Sequence, residues 1–244
     1  MKVIILAGGL GTRISEETQD KPKPMVRIGE KPIIWHIIQI YARQGLKDFV
    51  IAAGYKAEVI NEWINSEIKR DSNWISNLNV QVKFTGEEAH TGGRIANCID
   101  SLQGDLFLAT YGDGVANINI SKQLEFHKYN KGIVSLTAVR PPARFGHLDI
   151  IGDSIKNFGE KNQADEGWIN GGFFVVNREI VAYINNKNEP LETGAFPQLA
   201  RAGRLMAYKH FGFWQSMDTL RDKDNLTLMA NSNTEENLPW FKIY

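Results

Sequence analysis

Two aspartates stand where a carboxylate could bind a divalent cation. Asp113 follows the apolar run DLFLAT and lies between Gly112 and Gly114, which leave room for a bulky ligand. Asp218, in GFWQSMDTLRDK, stands at the start of a predicted helix, where aspartate also serves as an N-cap. Mg²⁺ is commonly bound by one or two carboxylates together with substrate phosphates. The pair predicts a magnesium site, with a turn residue and a helix cap as the alternatives.

A glycine-rich turn follows the first predicted strand, KVIILA at residues 2–7. Gly8, Gly9 and Gly11 let backbone N–H groups approach a ligand closely, as phosphate-binding loops do. The Walker sequence G-x-x-x-x-G-K-[ST] is absent, and Ile14 occupies the position of the third glycine in a dinucleotide fingerprint. The turn is therefore predicted to bind phosphates as a loop of neither of these two types. A nicotinamide-dependent oxidoreductase is the alternative that Ile14 argues against.

Basic residues near these turns lie beside glycine or proline rather than at helical spacing. They are Arg13, Lys21, Lys23, Arg94 and Lys161. Pro22 and Pro24 disfavour helix, so the segment with the first three is predicted to be extended. Gly92 and Gly93 precede a second helix start, which attracts anions together with Arg94. Taken together, they predict a ligand with several phosphates, although each alone could be a surface charge.

Two positions further along the chain could meet a sugar. Asn170, followed by Gly171 and Gly172, interrupts an apolar strand and offers both a donor and an acceptor to hydroxyl groups. A β-bulge is an equal alternative on this signal. Gly146, in RPPARFGHLDI, could present its backbone N–H to a substrate hydroxyl.

Composition excludes several functional classes. The 244 residues carry 28 basic and 28 acidic side chains, so no global basic field indicates nucleic acid or an anionic membrane. No apolar run approaches the length of a membrane span. The five histidines lack metal-ligand spacing, and the single cysteine, Cys98, cannot form an internal disulfide. A cytoplasmic protein without zinc is therefore expected.

These residues must be positioned by alternating strands and helices. Predicted strands lie at 2–7, 48–53, 80–84, 105–110 and 133–139, and predicted helices lie at 33–44, 58–69, 93–102 and 120–130. This repeated βα order predicts an α/β fold with a parallel sheet, whose ligands collect at the carboxyl ends of the strands. After residue 140 come short strands at 147–151, 154–158 and 169–176, then a helix near 218–230. We expect one domain, with a core at 1–139, a mostly antiparallel lobe at 140–217 and a final helix and tail at 218–244.

The first motif, LAGGLGTRISEETQDKPKPM, resembles the signature of the sugar-phosphate nucleotidylyltransferases. With TGGR, TYGDG, RFGHLDI, WINGGFFV and GFWQSMDTLRDK, the chain looks like the glucose-1-phosphate cytidylyltransferase branch, and the match covers nearly its whole length. The resemblance implies a Rossmann-like mixed sheet flanked by helices with a smaller sugar-binding lobe. It also implies Mg²⁺-dependent transfer of a cytidylyl group from CTP to a sugar 1-phosphate, and a homo-oligomer.

The resemblance also implies roles for individual residues. The nucleotide side would comprise Leu6, Gly8, Gly9, Gly11, Thr12, Arg13, Lys23, Arg94 and Gly112. The sugar side would comprise Gly146, Glu160, Lys161 and Asn170, and the Mg²⁺ pair would be Asp113 and Asp218. Arg13, Lys23 and Asp113 would act in catalysis. Use of another nucleotide or sugar phosphate is one alternative, and a non-catalytic sugar-nucleotide-binding protein is another.

Overall fold

The computed structural model describes residues 1–70, 73–141, 146–151, 153–160, 167–186 and 188–243. The strands within these residues are β1 (Lys2–Ala7), β2 (Arg27–Ile28), β3 (Lys31–Pro32), β4 (Asp48–Ala53), β5 (Asn79–Phe84), β6 (Leu106–Tyr111), β7 (Gly114–Ala116), β8 (Val134–Val139), β9 (Gly146–Ile151), β10 (Ser154–Glu160), β11 (Ile169–Asn170), β12 (Phe174–Asn177), β13 (Leu205–Lys209) and β14 (Trp214–Ser216). The α-helices are α1 (Ser15–Thr18), α2 (Ile33–Ala42), α3 (Ala57–Lys69), α4 (Thr91–Cys98), α5 (Ile120–Asn130), α6 (Ala195–Arg201) and α7 (Leu220–Asn231).

An eight-stranded mixed sheet forms the centre of the molecule. Its order is β11-β8-β12-β6-β1-β4-β5, and β13 pairs with β8. β1 pairs in parallel with both β4 and β6, and β4 pairs in parallel with β5. β12 runs antiparallel between β6 and β8. The predicted Rossmann-like mixed sheet flanked by helices is confirmed, while the division into a core and a sugar-binding lobe stays a prediction.

Alternating side chains of β1 fill two hydrophobic cores, one on each face of the sheet. Val3 and Ile5 face a core with α2, whereas Ile4 and Leu6 face a core with α4 and α6. A strand buried on both faces reads as a continuous apolar run, which is why KVIILA was recognisable. Burial on both faces fixes the position of β1, and therefore of the loop that follows it.

Two predicted segments differ from the structure. The predicted lobe strand at 169–176 is divided into β11 and β12, and both belong to the central sheet. The stretch after the glycine turn is not extended, since Thr12–Ile14 and Lys23–Met25 form 3₁₀ turns and α1 lies between them. Pro24 is tolerated because it occupies the first turn of such a helix, where no backbone donor is required.

The carboxyl-terminal tail packs on its own chain. After α7, short 3₁₀ turns at Glu235–Asn237 and Pro239–Phe241 carry Trp240 into the core beside α2, where its side chain is fully buried. The Trp240 ring makes an edge contact with His36 of α2 at a centroid distance of 5.2 Å. No helix in the described part of the chain has the length and apolar character needed to cross a membrane.

Candidate active site

The glycine loop begins where β1 ends and turns against the side chain of Arg94. A Cβ atom at Gly8 would lie 1.9 Å from Arg94 Cζ, and Gly11 has a φ of 67°, in the left-handed region that favours glycine. The loop therefore requires glycine at both positions. It forms part of a cavity of about 210 Å³, whose lining includes Leu6, Gly8, Gly9, Lys23, Thr91, Arg94, Tyr111, Gly112 and Asp113.

Arg94 lies beneath this loop and is only 4% exposed. Its guanidinium donates to the carbonyl oxygens of Gly8 at 2.9 Å, Ala53 at 3.2 Å and Gly86 at 2.9 Å, and to Thr85 Oγ1 at 2.7 Å. These acceptors belong to the segments that follow β1, β4 and β5, or to the ends of those strands. In this structure Arg94 therefore holds the loop in place through backbone contacts, and its predicted contact with a nucleotide stays a prediction.

A second cavity, of about 270 Å³, lies next to the first. Its lining includes Arg13, Thr110, Tyr111, Asp113, Ile169, Asn170, Trp214, Ser216 and Asp218. Tyr111 and Asp113 line both cavities. The two cavities therefore adjoin at the carboxyl end of β6, as the rule for parallel strands leads one to expect.

The two predicted metal ligands meet at this junction. Lys23 Nζ donates to Asp113 Oδ2 at 2.6 Å and to Asp218 Oδ1 at 3.0 Å, although 90 and 195 residues separate the partners along the chain. Arg13 Nη2 lies 3.2 Å from Asp218 Oδ1, and the Arg13 side chain is 72% exposed. Arg13, Lys23, Asp113 and Asp218 therefore lie close together, whereas Lys21 pairs with Glu17 at 3.7 Å.

The charges in this cluster stabilise one another. Burial alone would lower the pKa of Lys23, but the Asp113 and Asp218 carboxylates outweigh it and raise that pKa. Burial likewise opposes ionisation of Asp218, yet Lys23, Ser216 and Arg13 together lower its pKa below the ordinary value. Lys23 is therefore a cation and Asp218 an anion across the neutral pH range.

Asp218 does not cap α7. The N-cap is Thr219, whose hydroxyl accepts from the backbone N–H of Asp222, and Asp222 accepts in turn from the backbone N–H of Thr219. This reciprocal capping box satisfies the helix start without Asp218. The side chain of Asp218 instead accepts from Ser216 Oγ at 3.0 Å and faces Lys23. The cap that the sequence offered as an alternative is one residue away.

The donor set at the junction fits a magnesium ion. Asp113 and Asp218 supply hard anionic oxygens that both contact Lys23. Mg²⁺ prefers one or two carboxylates, and phosphate oxygens and water complete its coordination. Within the described residues there is no larger cluster of His, Cys, Asp or Glu side chains that could hold a metal ion. The arrangement therefore suits a metal that arrives with a phosphate substrate rather than a closed structural site.

The remaining sugar-side candidates are only partly described. Gly146 and Glu160 lie directly opposite each other in the antiparallel β9–β10 hairpin. Lys161 lies outside the described residues. Asn170 ends β11 and lines the 270 Å³ cavity. Thr12, a nucleotide-side candidate, begins the 3₁₀ turn that follows Gly11. The binding roles assigned to these residues stay predictions.

Comparison with known proteins decides the family. The sequence profile described as nucleotidyl transferase matches residues 2–222. The chain belongs to the nucleotidyl transferase family. It is 45% identical over 243 residues to a glucose-1-phosphate cytidylyltransferase of Salmonella typhimurium, covering 91% of this chain and 93% of that protein. It is 36% identical to a probable glucose-1-phosphate cytidylyltransferase of Bacillus subtilis, covering 96% and 98% of the two chains.

A solved structure supports the same assignment. HddC from Yersinia pseudotuberculosis complexed with GMP-PN is 25% identical and superposes with a TM-score of 0.71, covering 93% of this chain and 98% of that chain. The resemblance to the glucose-1-phosphate cytidylyltransferase branch and the predicted enzyme class, a nucleotidyltransferase, are confirmed by the relatives.

Some residues at the site were not predicted from the sequence. Tyr111 is not among the predicted site residues, yet it lines both cavities. Glu192, which accepts a hydrogen bond from the Tyr111 hydroxyl, is not among the predicted residues either. Its surroundings, EPLETGAF, carry no local signal, since the contact spans 81 residues of sequence. Ser216 is likewise not among the predicted residues, and its hydroxyl donates to Asp218 Oδ2 at 3.0 Å.

Proposed function

We propose that this protein transfers a cytidylyl group from CTP to a sugar 1-phosphate, with glucose 1-phosphate as the acceptor, and releases a CDP-sugar and pyrophosphate. The observation that carries the proposal is the meeting of Lys23, Asp113 and Asp218 at the junction of two adjoining cavities. The names of the 45% and 36% identical relatives support the choice of cytidylyl transfer.

The reaction forms one bond and breaks one at a single phosphorus. An oxygen of the sugar phosphate bonds to the α-phosphorus of CTP, and the bond from that phosphorus to the bridging oxygen breaks. Pyrophosphate leaves with the electron pair. No general base is required because the attacking oxygen is already ionised. The task of the protein is therefore to position two polyanions and to neutralise their charge.

The size of the repulsion explains the cations at the junction. Two unit negative charges about 4 Å apart repel by about 4 kcal/mol at an effective dielectric constant near 20. Lys23, only 8% exposed, is placed to neutralise the α-phosphate, and Arg13 reaches the same junction from the solvent side. Mg²⁺ held by Asp113 and Asp218 would supply further neutralisation of phosphate charge when bound.

The binding roles follow the two cavities. We assign the nucleotide to the 210 Å³ cavity, with its phosphates on the loop that contains Gly8, Gly9 and Gly11. We assign the sugar phosphate to the 270 Å³ cavity, with Asn170 toward the sugar. Gly146, Glu160 and Lys161 stay part of this proposal as sugar-side residues.

A pyrophosphate-release assay over four nucleoside triphosphates and several sugar 1-phosphates, with Mg²⁺ present, tests the proposal. We expect the highest kcat/KM with CTP and glucose 1-phosphate, and loss of turnover on chelation of the metal. Preference for another pair would change the assigned substrates but not the class of enzyme. Absence of turnover with every pair would contradict enzyme function and favour a non-catalytic sugar-nucleotide-binding protein.

We further propose that the protein is cytoplasmic and that it forms a homo-oligomer. The cytoplasmic assignment is supported by Cys98, the one cysteine of the chain. Cys98 is buried as a free thiol, and burial raises its pKa to about 11, so it has no part in a disulfide framework. Light scattering of the purified protein tests the oligomer, and a molar mass equal to that of one chain would contradict it.

A further inference from the structure

A chain of four hydrogen-bonded side chains runs between the two cavities. Thr91 Oγ1, at the start of α4, donates to Glu192 Oε2 at 2.8 Å. The Tyr111 hydroxyl, at the end of β6, donates to Glu192 Oε1. Asn170 Nδ2, at the end of β11, donates to the Tyr111 oxygen at 2.9 Å. The chain therefore joins a lining residue of the nucleotide-side cavity to a lining residue of the sugar-side cavity.

The carboxylate at its middle fixes the direction of every hydrogen bond. An ionised glutamate can only accept, so the Tyr111 hydroxyl must give its proton to Glu192. With its only proton directed to Glu192, the Tyr111 oxygen is left as an acceptor for Asn170.

This direction determines which way the Asn170 amide points. Its nitrogen is held by the Tyr111 oxygen, and its Oδ1 accepts from the backbone N–H of Gly172 at 3.0 Å. A reversed amide would place oxygen against oxygen at Tyr111 and nitrogen against the Gly172 N–H. Within the described residues the second Nδ2 hydrogen has no partner, and Asn170 lines the 270 Å³ cavity.

We propose that Glu192 and Tyr111 are positioning residues that hold Asn170 as a hydrogen-bond donor toward the sugar 1-phosphate. This rests on the proposed function, because it assigns the sugar phosphate to that cavity. The ligand atom that Asn170 meets must then be an acceptor, such as a hydroxyl or phosphate oxygen. Glu192 and Tyr111 act through Asn170 and need no contact with the reacting atoms.

Kinetic variants test the proposal. Glu192 is exposed, so its replacement should not unfold the protein. We expect Tyr111→Phe and Glu192→Ala to raise the KM for the sugar 1-phosphate about tenfold, the effect of losing one well-oriented hydrogen bond, and to change the KM for CTP less than twofold. Glu192→Gln keeps an acceptor without the charge and should restore most of the affinity.

Glu88→Ala is the matched control, because it removes another exposed carboxylate, just before α4, and should leave both KM values unchanged. If Tyr111→Phe and Glu192→Ala left the KM for the sugar 1-phosphate at the wild-type value, or raised both KM values equally, the positioning role would be overturned.

A nuclear magnetic resonance measurement separates this proposal from the proposed function. The Asn170 side-chain amide, assigned by its loss in Asn170→Asp, should give two well-separated proton signals in the substrate-free wild type. In Tyr111→Phe and Glu192→Ala we expect the signals to move together and exchange faster with water. A wild type without any turnover would contradict the proposed function, whereas an Asn170 amide unchanged in both variants would overturn the positioning role.

Discussion

At the scale of single residues, the site depends on one buried cation between two carboxylates. Lys23 Nζ lies within 3.0 Å of both Asp113 and Asp218, and these contacts hold its pKa above the ordinary value. A cation so fixed needs no reorganisation when negative charge grows on a phosphate nearby. The same contacts keep both carboxylates together, where a divalent cation would need them.

Replacing Lys23 by methionine should lower kcat by about 10²- to 10³-fold and change KM less, because the charge that it stabilises grows in the transition state. Steady-state kinetics with CTP and glucose 1-phosphate measures both constants. Lys21→Met is the matched control, since Lys21 pairs with Glu17 and not with Asp113 or Asp218. This variant should retain nearly full activity. A Lys23→Met protein that matched this control would contradict the assigned role.

Neighbouring residues at the start of α7 should separate metal binding from helix capping. Asp218→Asn should raise the Mg²⁺ concentration for half-maximal activity at least tenfold, with little change in melting temperature. Thr219→Ala removes the capping box, and it should cost about 1 kcal/mol of stability without altering the Mg²⁺ dependence. Thermal melts and Mg²⁺ titrations distinguish the two. If Asp218→Asn instead lowered the melting temperature and left the Mg²⁺ dependence unchanged, Asp218 would be a structural residue and not a metal ligand.

At the scale of secondary structure elements, Arg94 ties α4 to the ends of three parallel strands. Its hydrogen bonds reach the Gly8, Ala53 and Gly86 carbonyl oxygens, which belong to segments far apart in the sequence. Because arginine presents several donors in a rigid plane, one side chain can satisfy acceptors from all of these segments. The position of the glycine loop is thereby linked to the packing of the sheet.

Arg94→Lys and Arg94→Met should therefore behave alike. Each leaves buried carbonyl oxygens without partners, and we expect a loss of about 2–4 kcal/mol, or a fall of roughly 5–10 °C in melting temperature, with a higher KM for CTP. Arg201→Met, on the exposed end of α6, is the control that should melt as the wild type does. If Arg94→Lys were as stable as the wild type, the positive charge of Arg94, and not its several hydrogen-bond donors, would account for its contribution to stability.

The sequence predicts elements better than it predicts their partners. The strands near the amino terminus were recognisable because burial on both faces leaves a continuous apolar run, and the strand ends then placed Gly8 and Asp113 at one edge of the sheet. The stretch at 169–176 was recognised as strand, but its place in the central sheet was not predicted. Its pairing with β6 and β8 is a long-range contact that leaves no local pattern.

At the scale of the whole molecule, the tail closes one face of the core. Trp240 is fully buried against His36 and Phe213, which lie about 204 and 27 residues away in the chain. The sequence of the tail does not decide whether it packs on its own domain or on a partner, since an apolar aromatic residue suits either. Its burial shows that the tail belongs to this domain.

Trp240→Ala should destabilise the protein by about 3–5 kcal/mol, because it opens a large cavity that the surrounding helices cannot fill. Chemical denaturation measures the free energy of unfolding. Phe211→Ala is the matched control, as that ring is 81% exposed, and its loss should change stability by less than about 0.5 kcal/mol. Equal stability of the two variants would show that the tail does not contribute to the core.

The central claim is that Asp113 and Asp218 bind one divalent cation where the 210 Å³ and 270 Å³ cavities adjoin. Anomalous scattering from Mn²⁺ in crystals grown with CTP tests it most directly. We predict a single peak within roughly 2.5 Å of an oxygen from each carboxylate, in contact with the nucleotide phosphates, and its loss in the Asp113→Asn, Asp218→Asn double variant. A metal peak elsewhere in the molecule, or one that persists in the double variant, would contradict the claim.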